Sequence, residues 1–395
     1  MKKPTAPRPI GTGRLKHILS LDDFETKAQR HLPRPLFGYI SGAAETNASL
    51  RMNAQAFQSY AFKPRVLRDV SGRSTATELF GKTYAAPFGI APMGLSALMA
   101  YRGDLVLATG AAQSGIPMIM SGSSLIPMEE VAQAAPDSWF QAYLPGETER
   151  IDALVDRVAA AGFKTLMLTV DTAALANREN NVRAGFSTPL RPGIKLAWQG
   201  LSHPRWTTGT FLRTILQHGI PHFENSYATR GAPIISSSVM RDFGKKDHLN
   251  WTHLQRIRER WEGRLVVKGI LHEDDARHAV ELGVDGIIVS NHGGRQLDGA
   301  LAPLEALPAI VDAVGAKTTV MLDGGIRRGS DILKALALGA TFVFVGRPFL
   351  YAASVGGLEG VLLAADILRT ELHRNMALLG STKVSEIAKL RLYNV

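Results

Sequence analysis

The chain has 395 residues, 45% of them apolar and 20% charged, with no cysteine and a formal net charge of +10. That composition is globular, with material for a large core, and the missing thiols exclude a disulfide framework, a thiolate metal site and a cysteine nucleophile. The positive balance suits a polyanionic neighbour, nucleic acid or an anionic lipid surface, or else a basic surface that handles anionic substrates.

The opening MKKPTAPRPIGTGR carries charge with no apolar run behind it. No stretch approaches the roughly 18 apolar residues of a membrane span, so the chain is expected to be cytoplasmic and not to cross a bilayer. Residues 1–85 form an extension with a helix around 21–29, a proline-bounded helix start at Leu36 and a loop. From residue 88, short β-rich apolar runs alternate with helical spacing. The strands are expected at 88–92, 117–121, 139–144, 165–170, 265–268, 286–290, 319–323 and 342–346, with helices at 104–113, 147–161, 251–261, 273–282, 304–314 and 330–338. Eight alternating units favour a closed (β/α)8 TIM barrel over an open doubly wound sheet, with the site at the carboxyl ends of the strands. The whole chain reads as one domain, with the barrel over 86–395.

Between the fourth and fifth strands lies an insertion, 187–246. It holds Trp198, Trp206, Phe211, Phe223 and Tyr227, the basic residues Arg191, Lys195, Arg205, Arg213, Arg230, Arg241, Lys245 and Lys246, and only Glu224 and Asp242 as acids. A segment this long in a barrel is a lid, an interface or a mobile element.

The strand ends carry the chemistry. The third strand finishes in Gln141 and Tyr143, the fourth in Thr169 and Asp171 with Arg178 beyond, the fifth in Lys268, and the sixth in Ser290, His292 and Arg295. Core packing does not ask for these groups. Asp171 beside His292 would fix the imidazole tautomer and raise its pKa, as a general base requires. Arg178 and Arg295 could clamp a carboxylate. The seventh and eighth strands end in Asp323-Gly324-Gly325-Ile326-Arg327-Arg328 and Gly346-Arg347-Pro348. Glycines that admit close backbone approach, with arginines beside them, sit where barrels commonly hold phosphate.

The blocks LFGYISGAAE, FQAYL, LTVDT, SNHGGRQLD, LDGGIRRGSDILKALALGA and VGRP occur in this order. From about residue 15 to the end, the chain resembles the FMN-dependent 2-hydroxy-acid dehydrogenases and oxidases, the family of glycolate oxidase, L-lactate dehydrogenase and (S)-mandelate dehydrogenase. The resemblance implies that Tyr39 and Tyr143 contact the substrate, Arg178 and Arg295 hold its carboxylate, His292 takes the hydroxyl proton with Asp171 behind it, and Lys268 stands beside flavin N1. It implies an FMN shell of Ala91, Pro92, Met93, Gly94, Ser121, Gln141, Thr169, Lys268 and Ser290, with Asp323, Gly325, Arg327, Gly346 and Arg347 on the ribityl chain and phosphate. No metal is implied.

Gly94 and Ser123 stand where the glycolate oxidase branch has an alanine and a tryptophan, which enlarges the pocket and implies a substrate larger than glycolate, a mandelate-like acid with an aryl group or lactate. Gly94 and the GGR form of the histidine loop look more like the mandelate and membrane-bound lactate dehydrogenase branch. So do the HPRW segment at 203–206 and the HGIPHFEN segment at 218–225. That branch implies a quinone or other non-oxygen acceptor, peripheral attachment to the inner membrane face through basic and aromatic side chains, and a homotetramer. The alternatives are an oxygen-using oxidase that releases peroxide, and a flavin-binding barrel without net redox turnover. Nucleic-acid binding has no recognisable module behind it.

Overall fold

The computed structural model describes residues 11–187, 189, 193–236 and 246–395. The extension folds into α1 (Leu21–His31), α2 (Arg34–Ser41) and α3 (Ala48–Gln58). Helix α1 buries Leu21, Phe24 and Ala28, an i, i+3, i+7 stripe, and its start is capped by Asp23, whose carboxylate accepts from the Ser20 N–H at 2.8 Å. Pro35 occupies the first turn of α2, so the helix begins at Arg34 rather than at Leu36.

Eight strands follow: β1 (Phe88–Ile90), β2 (Ile119–Ser121), β3 (Trp139–Ala142), β4 (Thr165–Thr169), β5 (Arg264–Ile270), β6 (Gly286–Val289), β7 (Thr319–Asp323) and β8 (Phe342–Val345). They pair in parallel in the order β2-β3-β4-β5-β6-β7-β8-β1. The ring closes where the Ile90 N–H donates to the Pro117 carbonyl at 2.9 Å and Ile90 bridges Met118. Each strand lies within two residues of its expected place. The connections carry α4 (Gly103–Ser114), α5 (Met128–Ala134), α6 (Thr148–Ala160), α7 (Trp251–Arg260), α8 (Glu273–Glu281), α9 (Pro303–Val314) and α10 (Gly329–Ala337), and β8 leads into α11 (Arg347–Leu379). The fold is the expected (β/α)8 barrel.

Strand periodicity builds both the core and the mouth. Ile119, Trp139, Met167, Val266, Ile288, Met321 and Phe344 point into the barrel and form a core of their own, separate from the apolar layer between strands and helices. Trp139 meets Phe344 edge-on at 5.2 Å. Below them the hairpin Thr77–Leu79/Lys82–Tyr84 plugs the amino end with Leu79, Phe80 and Tyr84. Two residues further along each strand the side chain points inward again. Those next positions are Ser121, Gln141, Thr169, Lys268, Ser290, Asp323 and Gly346. The same alternation that fills the barrel therefore lays a polar floor at its carboxyl end.

Two features depart from the sequence expectation. Helix α11 has the length and apolarity of a membrane span, but 67% of its most apolar window is buried, packed against α1 and α4, and it kinks at Gly357. It is a core helix. The extension is also more than a lead-in loop, because α3 buttresses the mouth. Asn53 and Asn291 exchange amide hydrogen bonds of 2.7 Å in each direction, and both residues are buried. Gly325 (φ +81°) lies so close to α3 that a Cβ would run into the Asn53 carbonyl. Gly325→Ala is expected to destabilise by at least the ~1–3 kcal/mol of backbone strain; thermal melts check this, and an unchanged midpoint would mean the loop can re-seat.

Candidate active site

A cavity of about 300 Å³ opens at the carboxyl ends of the strands. Of the residues singled out in the sequence, Tyr39, Ala91, Pro92, Met93, Gly94, Tyr143, Thr169, Arg178, Lys268, His292, Arg295, Asp323, Gly325, Arg327, Gly346 and Arg347 line it. Asp171, Ser121, Gln141 and Ser290 lie one layer behind and hold residues in place. The Lys268 ammonium donates to Ser290 Oγ at 2.9 Å and pairs with Asp323 at 3.3 Å. Ser121 Oγ donates to Gln141 Oε1 at 3.1 Å.

His292 sits on a left-handed backbone (φ 58°), which lets the chain turn sharply off β6 and aim the ring back over the barrel. Its N–H donates to Ser290 Oγ at 3.0 Å. Nδ1 lies 2.9 Å from Asp171 Oδ1, so it carries the proton and donates. Nε2 is left as an acceptor, 3.4 Å from the Tyr143 hydroxyl. Asp171 reaches this position because β5 bulges at Gly269 (φ +110°), where a Cβ would lie 2.8 Å from Asp171 Cβ.

The expected upward shift of His292 is not what the surroundings produce. Burial disfavours the imidazolium more than Asp171 favours it, and Lys268 and Arg178 add to the depression, so the pKa falls below 6.5. Sequence spacing shows the neighbouring carboxylate but not the depth of the ring. A neutral imidazole at neutral pH is nonetheless what a proton acceptor needs. Burial raises Asp171, but the polar His292 ring that donates to it and the Lys268 charge outweigh that and hold it below its ordinary value. Burial, then Tyr39 and Asp171, push the Tyr143 phenol up, so it remains a donor.

The two arginines are positioned by different loops. Arg295 Nη1 donates to the Tyr39 and Gly42 carbonyls at 2.7 and 2.6 Å, and its guanidinium lies 4.9 Å over the Tyr39 ring. Its Nη2 is buried with no partner. Arg178 donates to the Arg295 carbonyl and to Gln296 Oε1. Burial, and then the charge of Arg178, depress Arg295 to about 9, and burial lowers Arg347 to about 10. Cations crowded like this call for anions from outside the chain. Arg347 gives Nε to the Ile40 carbonyl and Nη2 to those of Gly42 and Gly293, so much of its donor capacity ties the extension to the histidine loop.

Several cavity residues escaped the sequence reading. Gln296, inside the SNHGGRQLD block, accepts from Arg178 and donates to the Asp171 carbonyl at 2.9 Å, coupling the two loops. Ala174, Leu175, Phe223 and Leu350 give the cavity apolar wall, and Thr172 and Lys246 line it as well. The insertion also divides: Trp206 and Phe223 are buried, with Trp206 Nε1 donating to the Leu98 carbonyl at 2.8 Å, whereas Trp198 and Phe211 are exposed. Arg191, Arg241, Asp242 and Lys245 lie outside the described residues, as does the Lys195 side chain.

The polar floor fits a flavin. Gln141 Nε2 and Asp323 Oδ1 are buried without hydrogen-bond partners, each costing on the order of 1–3 kcal/mol unless a ligand supplies the missing bond. A ring edged with imide and carbonyl groups and carrying a hydroxylated tail supplies both.

A family model described as FMN-dependent dehydrogenase matches residues 28–394. The chain is 40% identical over 376 residues to an L-lactate dehydrogenase of Pseudomonas entomophila (strain L48), covering 94% of this chain and 97% of that protein. A Stenotrophomonas maltophilia (strain R551-3) L-lactate dehydrogenase is also 40% identical, over 382 residues, covering 96% and 99%. Among solved structures, the monotopic membrane protein (S)-mandelate dehydrogenase superposes with a TM-score of 0.88 at 35% identity, covering 96% of this chain and 100% of that one. A mandelate oxidase with benzoyl-formic acid gives 0.79 at 33% identity, covering 95% and 99%. Geometry and relatives agree: the chain belongs to the FMN-dependent dehydrogenase family.

Proposed function

We propose that this chain oxidises an (S)-2-hydroxy acid to the 2-oxo acid with FMN held at the barrel mouth, and that the electrons leave to a membrane quinone or similar acceptor rather than to oxygen. The observation that carries this reading is the Asp171–His292 pair, with Nε2 facing a cavity that also presents Arg178, Arg295 and two tyrosines. The L-lactate and (S)-mandelate dehydrogenase relatives support the substrate class.

In this reading Ala91, Pro92, Met93, Gly94, Ser121, Gln141, Thr169, Lys268 and Ser290 hold the flavin ring, and Asp323, Gly325, Arg327, Gly346 and Arg347 its ribityl phosphate. Bound FMN supplies a two-electron acceptor. Arg178 and Arg295 fix the substrate carboxylate, using donors such as the unpartnered Nη2 of Arg295. Tyr39 and Tyr143 steady its oxygens. His292 Nε2 takes the hydroxyl proton, and Asp171 stabilises the imidazolium that results. Lys268, buried and cationic, favours negative charge on whatever lies against it. Because the base must be neutral, turnover should fall only as pH drops through a His292 pKa below 6.5. A pH profile with its acid limb at or above that value would contradict the assignment.

Membrane attachment rests on the insertion. Ile194, Trp198, Leu201, Phe211, Leu212, Leu216 and Ile220 are all exposed, Ile194 at 91% and Leu216 at 83%, and Arg205 and Arg213 are exposed among them. Monomers rarely show apolar surface of this extent without a partner, and the mix of apolar and basic side chains suits an anionic bilayer face. The (S)-mandelate dehydrogenase neighbour is monotopic. Trp198→Glu with Leu216→Glu is expected to abolish co-sedimentation with anionic vesicles while leaving turnover with a soluble dye unchanged; retained binding would remove this part of the proposal. A homotetramer completes the reading and is checked by light scattering.

The acceptor is tested by feeding an (S)-2-hydroxy acid with and without a redox dye under air. Rapid dye reduction with little peroxide is expected. Peroxide equal to the acid consumed would make the protein an oxidase, and no consumption under either condition would overturn the function.

A further inference from the structure

Arg178, Lys246, Lys268, Arg295, Arg327 and Arg347 line the cavity, and among the described residues Asp323 is the sole carboxylate that does. The proposed function employs five of these cations: two for the substrate carboxylate, one beside the flavin ring and two near its phosphate. Lys246 is left over. It is half-buried, its ammonium 5.6 Å from the centre of the Tyr143 ring, and no carboxylate among the described residues pairs with it. Burial alone depresses it, to about 8. An ammonium drawn partly out of water at the wall of a ligand cavity is readily matched by a ligand that brings the countercharge.

Position narrows what that ligand is. The Tyr143 ring lies near-parallel to the His292 imidazole, centres 6.4 Å apart. The one tyrosine ring thus neighbours both the base and Lys246. A substrate whose carbinol sits at His292 Nε2 and whose carboxylate sits at the arginines can send its remaining substituent along the Tyr143 ring. The ring-centre distances of 6.4 and 5.6 Å put the imidazole and the ammonium no more than about 12 Å apart, a span that a few carbons and a terminal carboxylate can bridge. Gly94 and Ser123 line the same cavity and add little bulk to it.

We infer that Lys246 binds a second, distal carboxylate of the substrate, so that the enzyme prefers dianionic 2-hydroxy acids with a few carbons between the two acid groups. This rests on the proposed 2-hydroxy-acid chemistry and specifies its substrate class. The Lys246 ammonium would form an ion pair at the far end of the substrate, leaving the reacting centre to His292 and the arginines.

The test uses the FMN-loaded protein and two readouts: perturbation of the flavin spectrum by 2-oxo acids, which needs no turnover, and anaerobic flavin reduction by the matching hydroxy acids. The probes are 2-oxoglutarate against 2-oxohexanoate, and (S)-2-hydroxyglutarate against (S)-2-hydroxyhexanoate. The wild type is expected to bind 2-oxoglutarate about tenfold to a hundredfold more tightly than the monoanion, the size of one charge-assisted hydrogen bond. Lys246→Met should erase that preference and leave affinity for the monoanion within about twofold, and Lys246→Arg should restore most of it. Equal affinities in the wild type, or a Lys246→Met loss shared by both ligands, would overturn the inference. Failure of every hydroxy acid to reduce the flavin would instead sink the proposed function, while the binding measurement still decides on Lys246.

Discussion

Replacing His292 by alanine is expected to leave the purified protein yellow and to slow flavin reduction by about 10²–10⁴-fold, the usual contribution of a positioned general base. The colour should persist because the polar floor proposed to hold the flavin, Gln141, Lys268, Ser290 and Asp323, is held by contacts that do not involve the imidazole ring. The left-handed backbone at residue 292 is a position asparagine tolerates well, so His292→Asn provides a second variant should alanine disturb the loop. Asp171→Asn separates orientation from charge. It can still accept from Nδ1 but removes the carboxylate charge, the larger of the two Asp171 contributions that raise the His292 pKa. The acid limb of its pH profile should therefore move to lower pH while the plateau rate falls. A near-normal rate in either His292 variant would remove the residue from the chemistry.

Arg295→Lys is expected to raise KM and the dissociation constant of the 2-oxo acid product by about 10- to 100-fold, the equivalent of a lost charge-assisted hydrogen bond of ~1.5–3 kcal/mol, with a smaller effect on kcat. The cause is geometric. Arg295 Nη1 is committed to the Tyr39 and Gly42 carbonyls while Nη2 remains free for a ligand. A lysine has one nitrogen and cannot both anchor α2 and reach the substrate. Steady-state kinetics with product-inhibition constants check the split. A fall in kcat at constant KM would instead mean that Arg295 acts in the transition state and not in holding the carboxylate.

Much of the fold was legible because the strands obey one rule. Inward residues such as Met167 and Ile288 are apolar, and the position two further on is polar, Thr169 and Ser290. That switch marks both the end of each strand and the start of the site. The six barrel helices expected from their spacing lie within a residue of their predicted ends, and α1 within two. Helix α11 was not, since Gly356, Gly357 and Gly360 interrupt its pattern; Gly360 lies so close to the Ala352 carbonyl that no side chain fits. Helix α5, only seven residues long, offers too few turns to show a period.

The site was legible where strands end and obscure where loops return. Asp171 and His292 lie 121 residues apart, yet both stand directly after strands that pair with the same neighbour, so topology alone unites them. Lys246 lies at the end of an insertion whose path no periodicity constrains, and its approach to Tyr143 is a tertiary fact. The direction of the His292 shift was misread for a related reason: a charge partner can be inferred from a strand end, whereas desolvation depends on everything packed above it. Trp206 and Phe223 likewise share the aromatic character of Trp198, but only the fold reveals which of them face inward.

The central claim is that the polar strand ends hold FMN where His292 can take a proton from a 2-hydroxy acid. The most direct measurement is anaerobic mixing of FMN-reconstituted protein with (S)- and (R)-2-hydroxy acids while the visible spectrum is recorded. One flavin per chain, bleached by the (S) acid and untouched by its mirror image, is the expected result. Protein that stays colourless after reconstitution, or bound flavin that no 2-hydroxy acid of either hand reduces, would contradict it.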